Sequence, residues 1–202
     1  MPDIVAQRKD GYHDLFMIMQ SVGLYDTVTV EKTKCNKITL SCDEEEIPLD
    51  EKNIAYKAAI AFFKTNNIKD TGIHIDIKKR IPHAAGLAGG SADGAAVIVA
   101  LNQIYKTNLN NKKLCQIGVK IGADVPFCIC GGTLLAQGIG EVLNPVKPLR
   151  KCFILLAKPQ TGVNTGNAFK AFDENGKVHT PDKLGMLYAM QSRDLEQICA
   201  KM

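Results

Sequence analysis

The chain has 202 residues, 46% hydrophobic and 23% charged, with a formal net charge of +4, the balance of an ordinary globular protein with a core of its own. Its lysines are scattered and no basic run interleaves with aromatic residues, which argues against a nucleic-acid partner, whereas a mildly positive chain suits phosphorylated ligands. No apolar stretch approaches the roughly 18 residues that span a bilayer, and "MPDIVAQRKDGYH" lacks a signal peptide's apolar core and cleavage site; a cytoplasmic protein without a membrane partner is expected.

Along the chain, "LYDTVTVEK" and "NKITLSC" alternate like two strands with a polar connection and predict a hairpin. "NIAYKAAIAFFKTN" repeats apolar residues at helical spacing: Ile54, Ala58 and Phe62, flanked by Ala55, Ala59 and Phe63. "GIHIDIKKRIP" alternates Ile73, Ile75 and Ile77 as a strand running toward Pro82, with His74 facing solvent. "SADGAAVIVALNQIY" is apolar nearly all round and predicts a central, buried helix. "NNKKLCQIGVKIG" reads as another helix, with Leu114, Ile117 and Ile121 on one side and Gly122 as its stop. Short apolar strands are expected at "VPFCICG", "GTLLAQG" and "CFILLAKP", then polar loop and helix through "NTGNAFKAFD" and "LGMLYAMQ" to a last helix at "DLEQICAKM". The pattern predicts an α+β fold, with one domain over residues 1–150 and a second begun over 151–202. The seven cysteines are an odd count without a CxxC pair; buried, reduced thiols are expected rather than a zinc site.

"IPHAAGLAGGSADGAA" carries the chemistry. A strand, a glycine-rich loop and a helix start form a ready anion site, because backbone N–H groups converge there and the helix dipole adds partial positive charge. Ser91 stands where the helix begins, so its hydroxyl is expected either to cap the helix or to meet a phosphate. The loop is not a Walker A loop, since no lysine lies between Arg80 and Lys106. Nor is it a dinucleotide-binding loop, whose glycines sit hard against the preceding strand.

The stretch Pro82, Gly86, Leu87, Ala88, Gly89, Gly90, Ser91 resembles the second motif of the GHMP kinases. "RKDGYHDLFMIMQSVGLYD" and "IGADVPFCICGGTLLAQGIGE" are similar to two further signatures of one branch, whose members phosphorylate the 2-hydroxyl of a cytidine-diphosphate-linked methylerythritol in non-mevalonate isoprenoid precursor synthesis. The resemblance implies a GHMP kinase N-terminal domain (ribosomal protein S5 domain 2-like) followed by the start of a C-terminal α+β domain. It implies ATP with Mg²⁺ and a small-molecule substrate; Ala92 departs from the second serine often found in this loop, and no protein ligand to the metal is assigned. Under it, Pro82, His83, Ala84, Ala85, Gly86, Leu87, Ala88, Gly89, Gly90, Ser91 and Ala92 hold the nucleotide phosphates and Asn53 contacts the adenine. Asp124 draws the proton from the acceptor hydroxyl or orients it. Gly118 and Gly122 let its helix approach the loop. Tyr12 stacks on the cytosine, His13 reads its polar edge, and Phe169 covers the other face.

The same resemblance marks two missing pieces. The family begins with a strand carrying a lysine beside the catalytic aspartate and ends with a third glycine-rich motif; neither has a counterpart here, and Lys9 is not a substitute. The expectation is a chain truncated at both ends with an incomplete active centre. Its rivals are a GHMP kinase for another alcohol, such as mevalonate or homoserine, and a non-catalytic nucleotide-binding remnant.

Overall fold

The computed structural model describes residues 3–9, 11–158, 165–175 and 182–192. In chain order these form β1 (Asp3–Gln7), β2 (His13–Gln20), β3 (Thr27–Lys32), β4 (Ile38–Cys42), α1 (Ile54–Thr65), β5 (Ile73–Lys78), α2 (Gly89–Ile104), α3 (Asn111–Gly118), α4 (Val125–Cys130), β6 (Thr133–Gly138), β7 (Val142–Pro145), α5 (Thr165–Asn175) and α6 (Lys183–Ser192). The mixture of sheets and helices is the expected α+β class. Asp10, residues 161–164, His179 and the helix expected over residues 194–202 lie outside the described residues.

Contacts divide the chain into two units, Met1–Val22 with Gly131–Met202, and Gly23–Cys130. The division expected after residue 150 falls inside the first of them.

The second unit is built on a three-stranded sheet ordered β3-β5-β4. Ile73, Ile75 and Ile77 of β5 are fully buried and pack against Ala55, Ala58, Ala59 and Phe62 of α1 and Val97, Ile98 and Leu101 of α2. Strands that alternate this cleanly turn one face to a core and the other to polar partners. On the other face His74 bonds Thr39 Oγ1 at 2.9 Å and Ser41 Oγ at 3.0 Å, so it is half-buried in a polar row rather than free in solvent. The expected hairpin does not form. β3 and β4 flank β5, the first antiparallel and the second parallel to it. The most apolar strand takes the central place, which sequence neighbours would otherwise have shared.

α2 packs on α1 more closely than side chains allow. A Cβ on Gly94 would lie 2.8 Å from Ile54 Cγ2, so glycine is required there by space. α3 ends at Gly118, a turn earlier than expected, and a Cβ on Gly118 would meet Val125 Cγ1 at 2.8 Å. Gly118 thus brings α3 against α4. "VPFCIC" is helix α4, not a strand: six apolar residues carry no period long enough to separate the two, and Pro126 is tolerated in a helix's first turn.

The first unit carries the antiparallel sheet β1-β2-β6-β7, with Phe16, Leu135 and Met186 buried together over one face. "CFILLAKP" is no strand over its described part. Residues 152–158 have no regular structure and pair with no strand among the described residues, and Phe153 and Leu155 are fully exposed. The six described cysteines are free thiols, as expected, but none is fully buried, and Cys35, Cys130 and Cys152 are exposed. Cys42 and Cys128 are half-buried and pack against the core of the second unit.

Candidate active site

Within the second unit, the glycine loop connects the end of β5 to α2. Ala84, Gly86 and Ala88 hold positive φ angles of 51°, 69° and 54°, a left-handed geometry that glycine adopts freely and alanine only under strain. Ala88 is the residue that caps α2, and it supplies no side-chain bond. Of the two roles expected for the Ser91 hydroxyl, capping does not occur: the helix begins at Gly89, so Ser91 stands inside the first turn. The first intrahelical bond is from the Ala92 N–H to the Ala88 carbonyl, 2.9 Å. The N–H groups of Gly89, Gly90 and Ser91 therefore have no acceptor among the described residues, as the start of an uncapped helix requires. Pro82, His83, Ala84, Gly86 and Gly90 are exposed, Ala85, Leu87, Ala88, Gly89 and Ala92 half-buried, and Ser91 buried.

Asp124 directly precedes α4, and its carbonyl accepts the Cys128 N–H at 3.1 Å. Burial pushes its carboxyl above the ordinary carboxylate range, toward the value a base needs near neutrality. The chain leading to it passes close to the α2 start: a Cβ on Gly122 would lie 3.8 Å from Ser91 Oγ. That is ordinary van der Waals spacing, so the approach does not by itself demand glycine at residue 122. Cys128, one turn along α4, has its thiol pushed up to about 12 by burial first and then by the charges of Asp124 and Asp93.

Beneath the loop lies a network that reading the sequence missed. Lys79 Nζ donates to Asp26 Oδ2 at 2.5 Å and to Asp93 Oδ2 at 2.9 Å, and all three side chains are nearly inaccessible. Asp26 Oδ1 also accepts the N–H groups of Arg80 at 2.5 Å and Ile81 at 2.8 Å. Burial would raise the Asp26 carboxyl, but the Arg80 N–H, the Lys79 ammonium and the Ile81 N–H outweigh it and hold it below its usual value. Asp93 has only the ammonium to offset a deeper burial, and is pushed up to about 6; its Oδ1 is buried without a hydrogen-bond partner. A signal existed in the sequence: Asp93 lies one turn before Val97 on the buried face of an apolar helix, a place that demands a cation.

Asn53 is buried and caps α1, its Oδ1 accepting the Ala55 N–H at 2.8 Å and its Nδ2 donating to the Pro48 carbonyl at 2.7 Å.

In the first unit, His13 is buried and stacks on Phe169, with ring centroids 4.8 Å apart and planes 14° from parallel. Phe172 meets the same imidazole edge-on at 6.4 Å, and His13 Nε2 lies 2.6 Å from Asp173 Oδ1. Tyr12 is 59% exposed. The three expected base-binding residues thus fall in one unit, with His13 and Phe169 in direct contact. Among the described residues no group of three or more His, Cys, Asp or Glu side chains is placed to hold a metal ion, and no helix is long and apolar enough to cross a membrane.

Residues 53–132, from the α1 cap through the loop and Asp124 to Gly132, match the family described as GHMP kinases N terminal domain. A 4-diphosphocytidyl-2-C-methyl-D-erythritol kinase of Clostridium botulinum is 46% identical over 99% of this chain and 71% of its own length. One of Clostridium perfringens is 44% identical over 99% of this chain and 69% of its own length. The crystal structure of a 4-(cytidine 5'-diphospho)-2C-methyl-D-erythritol kinase superposes with a TM-score of 0.69 at 27% identity, covering 95% of this chain and 67% of that one. A homoserine kinase of Cytophaga hutchinsonii reaches 0.70 at 20% identity over 100% of this chain and 69% of its own, a likeness of fold alone. At these identities over nearly its whole length, the chain belongs to the 4-diphosphocytidyl-2-C-methyl-D-erythritol kinase family of the GHMP kinases.

Proposed function

We propose that the chain transfers the γ-phosphoryl group of ATP to the 2-hydroxyl of 4-diphosphocytidyl-2-C-methyl-D-erythritol, as a small-molecule kinase of isoprenoid precursor synthesis. The observation that carries this reading is the open start of α2, where three unpaired N–H groups stand behind a strained glycine loop and the chain leading to Asp124 passes beside Ser91. Backbone donors and a helix dipole hold phosphate oxygens without a side chain in the way. Phosphoryl transfer asks a protein mainly for position and charge stabilisation, so the second unit supplies what it requires: the loop over residues 82–92, with the open N–H groups of Gly89, Gly90 and Ser91, for the donor and Asp124 for the acceptor hydroxyl. Asp124 orients that hydroxyl and takes its proton as the new O–P bond forms, its raised carboxyl pKa making it a better base than a solvated aspartate. Mg²⁺ bound with the nucleotide would supply neutralisation of charge on its phosphates.

In the same reading Tyr12, His13 and Phe169 recognise the cytosine. The base would slot beside the existing His13–Phe169 stack, not between rings already in contact. Asn53 keeps one N–H and one lone pair beyond its cap for the adenine. Residues 1–150 would act as the nucleotide-binding domain and 151–202 as the start of the second, in the cytoplasm. A kinase for mevalonate or homoserine is not favoured, since the relatives at 44% and 46% identity carry the cytidine substrate in their names.

Calorimetric titration with the cytidine substrate, and with mevalonate as control, tests the reading. Selective binding of the cytidine compound is expected. Absence of binding to a chain that melts cooperatively would remove the Tyr12, His13 and Phe169 assignment.

A further inference from the structure

The buried network beneath the loop bonds to both of its ends. Asp26, just before β3, fastens the first loop residues by accepting from Arg80 and Ile81. Asp93, in the second turn of α2, fastens the helix that closes the loop. Lys79, one residue past β5, is the only group that bonds to both carboxylates among the described residues. It also lies directly under the helix start, because a Cβ on Gly89 would come within 3.4 Å of its Nζ. Between these anchors the chain carries strained alanines at residues 84 and 88, a conformation that persists only where the surroundings impose it. Two carboxylates around one ammonium, with Asp93 Oδ1 left orphaned, are costly to bury. An apolar cluster would hold three elements together with less penalty, so the arrangement calls for a role beyond packing.

We infer that Lys79, bridging Asp26 and Asp93, is a positioning residue for phosphate binding: it fixes the two ends of the glycine loop so that the Gly89, Gly90 and Ser91 N–H groups are aimed before the nucleotide arrives. The inference rests on the proposed ATP site. A loop aimed in advance loses less freedom on binding, so the network acts on the triphosphate and not on the cytidine compound, whose expected base-recognising residues Tyr12, His13 and Phe169 lie in the other unit.

The test is calorimetric titration of the whole chain with ATP, with inorganic tripolyphosphate and with the cytidine substrate, with a thermal melt of each variant. Lys79→Met is expected to weaken ATP and tripolyphosphate together, by about tenfold or more, while cytidine-substrate affinity stays within about threefold. Lys79→Arg, which keeps two donors for two carboxylates, is expected to restore most of the affinity. Because Lys79→Met leaves Asp93 unpaired and can unfold the protein, Lys79→Met/Asp93→Asn is measured alongside it. That pair removes the ammonium and the unpaired charge together; it is expected to melt cooperatively and still bind tripolyphosphate weakly. The inference is overturned if the double variant binds tripolyphosphate as the unaltered chain does, or if all three ligands weaken equally. Failure of the unaltered chain to bind ATP at all would instead remove the kinase reading on which it stands.

Discussion

Helices in the second unit begin in two different ways. α1 and α3 start behind asparagines: Asn53 Oδ1 accepts the Ala55 N–H at 2.8 Å and Asn110 Oδ1 the Lys113 N–H at 3.0 Å. α2 starts behind Ala88, whose side chain bonds nothing, and leaves three N–H groups open. A polar cap is worth about 1 kcal/mol, so α2 forgoes a stabilisation that its neighbours take. The helix is held by tertiary means instead, with Gly94 pressed on Ile54 and Asp93 tied to Lys79. The contrast teaches that a helix end can be left free for a ligand only where packing and buried charge replace the missing cap.

The comparison is tested most severely at Asp124, the proposed base beside the open helix end. Asp124→Asn keeps the shape and removes the base. It is expected to lower kcat by on the order of 10²–10⁴-fold, with ATP affinity within about threefold, measured by steady-state phosphoryl transfer and calorimetry. An unchanged kcat would leave the open helix start without its catalytic partner.

A smaller effect comes from the charge that replaces the cap. The Asp93 pKa is raised from 3.8 to about 6 in the folded chain, so between those values the folded state holds more protons than the unfolded one, and stability falls as pH rises. Asp26 works in the opposite sense. Its pKa is lowered, so its contribution is present above 3.8, the unfolded value, and is lost as pH falls through the folded one. Lys79 remains charged throughout, and the Cys42 and Cys128 thiols that sense Asp93 are shifted upward and stay neutral in this window. Asp93→Asn removes the cost of ionisation. It is expected to raise the thermal midpoint at pH 7 and above, with the gain shrinking toward zero near pH 4; a gain that ignores pH would contradict the assignment.

Removing the caps of the other two helices sharpens the contrast by about 1 kcal/mol each. Asn53→Ala and Asn110→Ala are both expected to lower stability by that amount in chemical denaturation. Only Asn53→Ala is expected also to weaken ATP, through the proposed adenine contact. Equal ATP affinity in the two variants would reduce Asn53 to its structural role.

Much of this was legible in the sequence because it is local. The period of Ala55, Ala58, Ala59 and Phe62 announces α1, the alternation of Ile73, Ile75 and Ile77 announces β5, and the glycines and proline of the loop announce the break between β5 and α2. What was hidden depends on distance along the chain. β3 and β4 look like a hairpin until β5, some thirty residues later, takes the place between them. Lys79 reads as one more surface lysine beside Lys78 and Arg80, since its partners Asp26 and Asp93 lie 53 and 14 residues away. Asn53, by contrast, stood in plain cap position before "IAYK" and could have been assigned. "VPFCIC" failed for a different reason: six apolar residues fit a buried strand and a short helix equally.

Ala88 offers the finest test, because two small effects on its backbone oppose each other. Its φ of 54° costs an L-residue roughly 1–2 kcal/mol, which Ala88→Gly would relieve. Glycine also loses about 0.5–1 kcal/mol more than alanine on ordering, so the net gain in stability is expected to lie between about 0 and 1.5 kcal/mol. The functional effect should have the other sign. In the unliganded chain a glycine at this position lets the loop sample more conformations, and ordering them on binding is expected to weaken tripolyphosphate by about two- to threefold. Raised stability with weakened binding is the outcome that a loop held in advance requires. Raised stability with unchanged binding would mean that the strain at Ala88 does not aim the N–H groups, and the open start of α2 would then owe its geometry to the buried network alone.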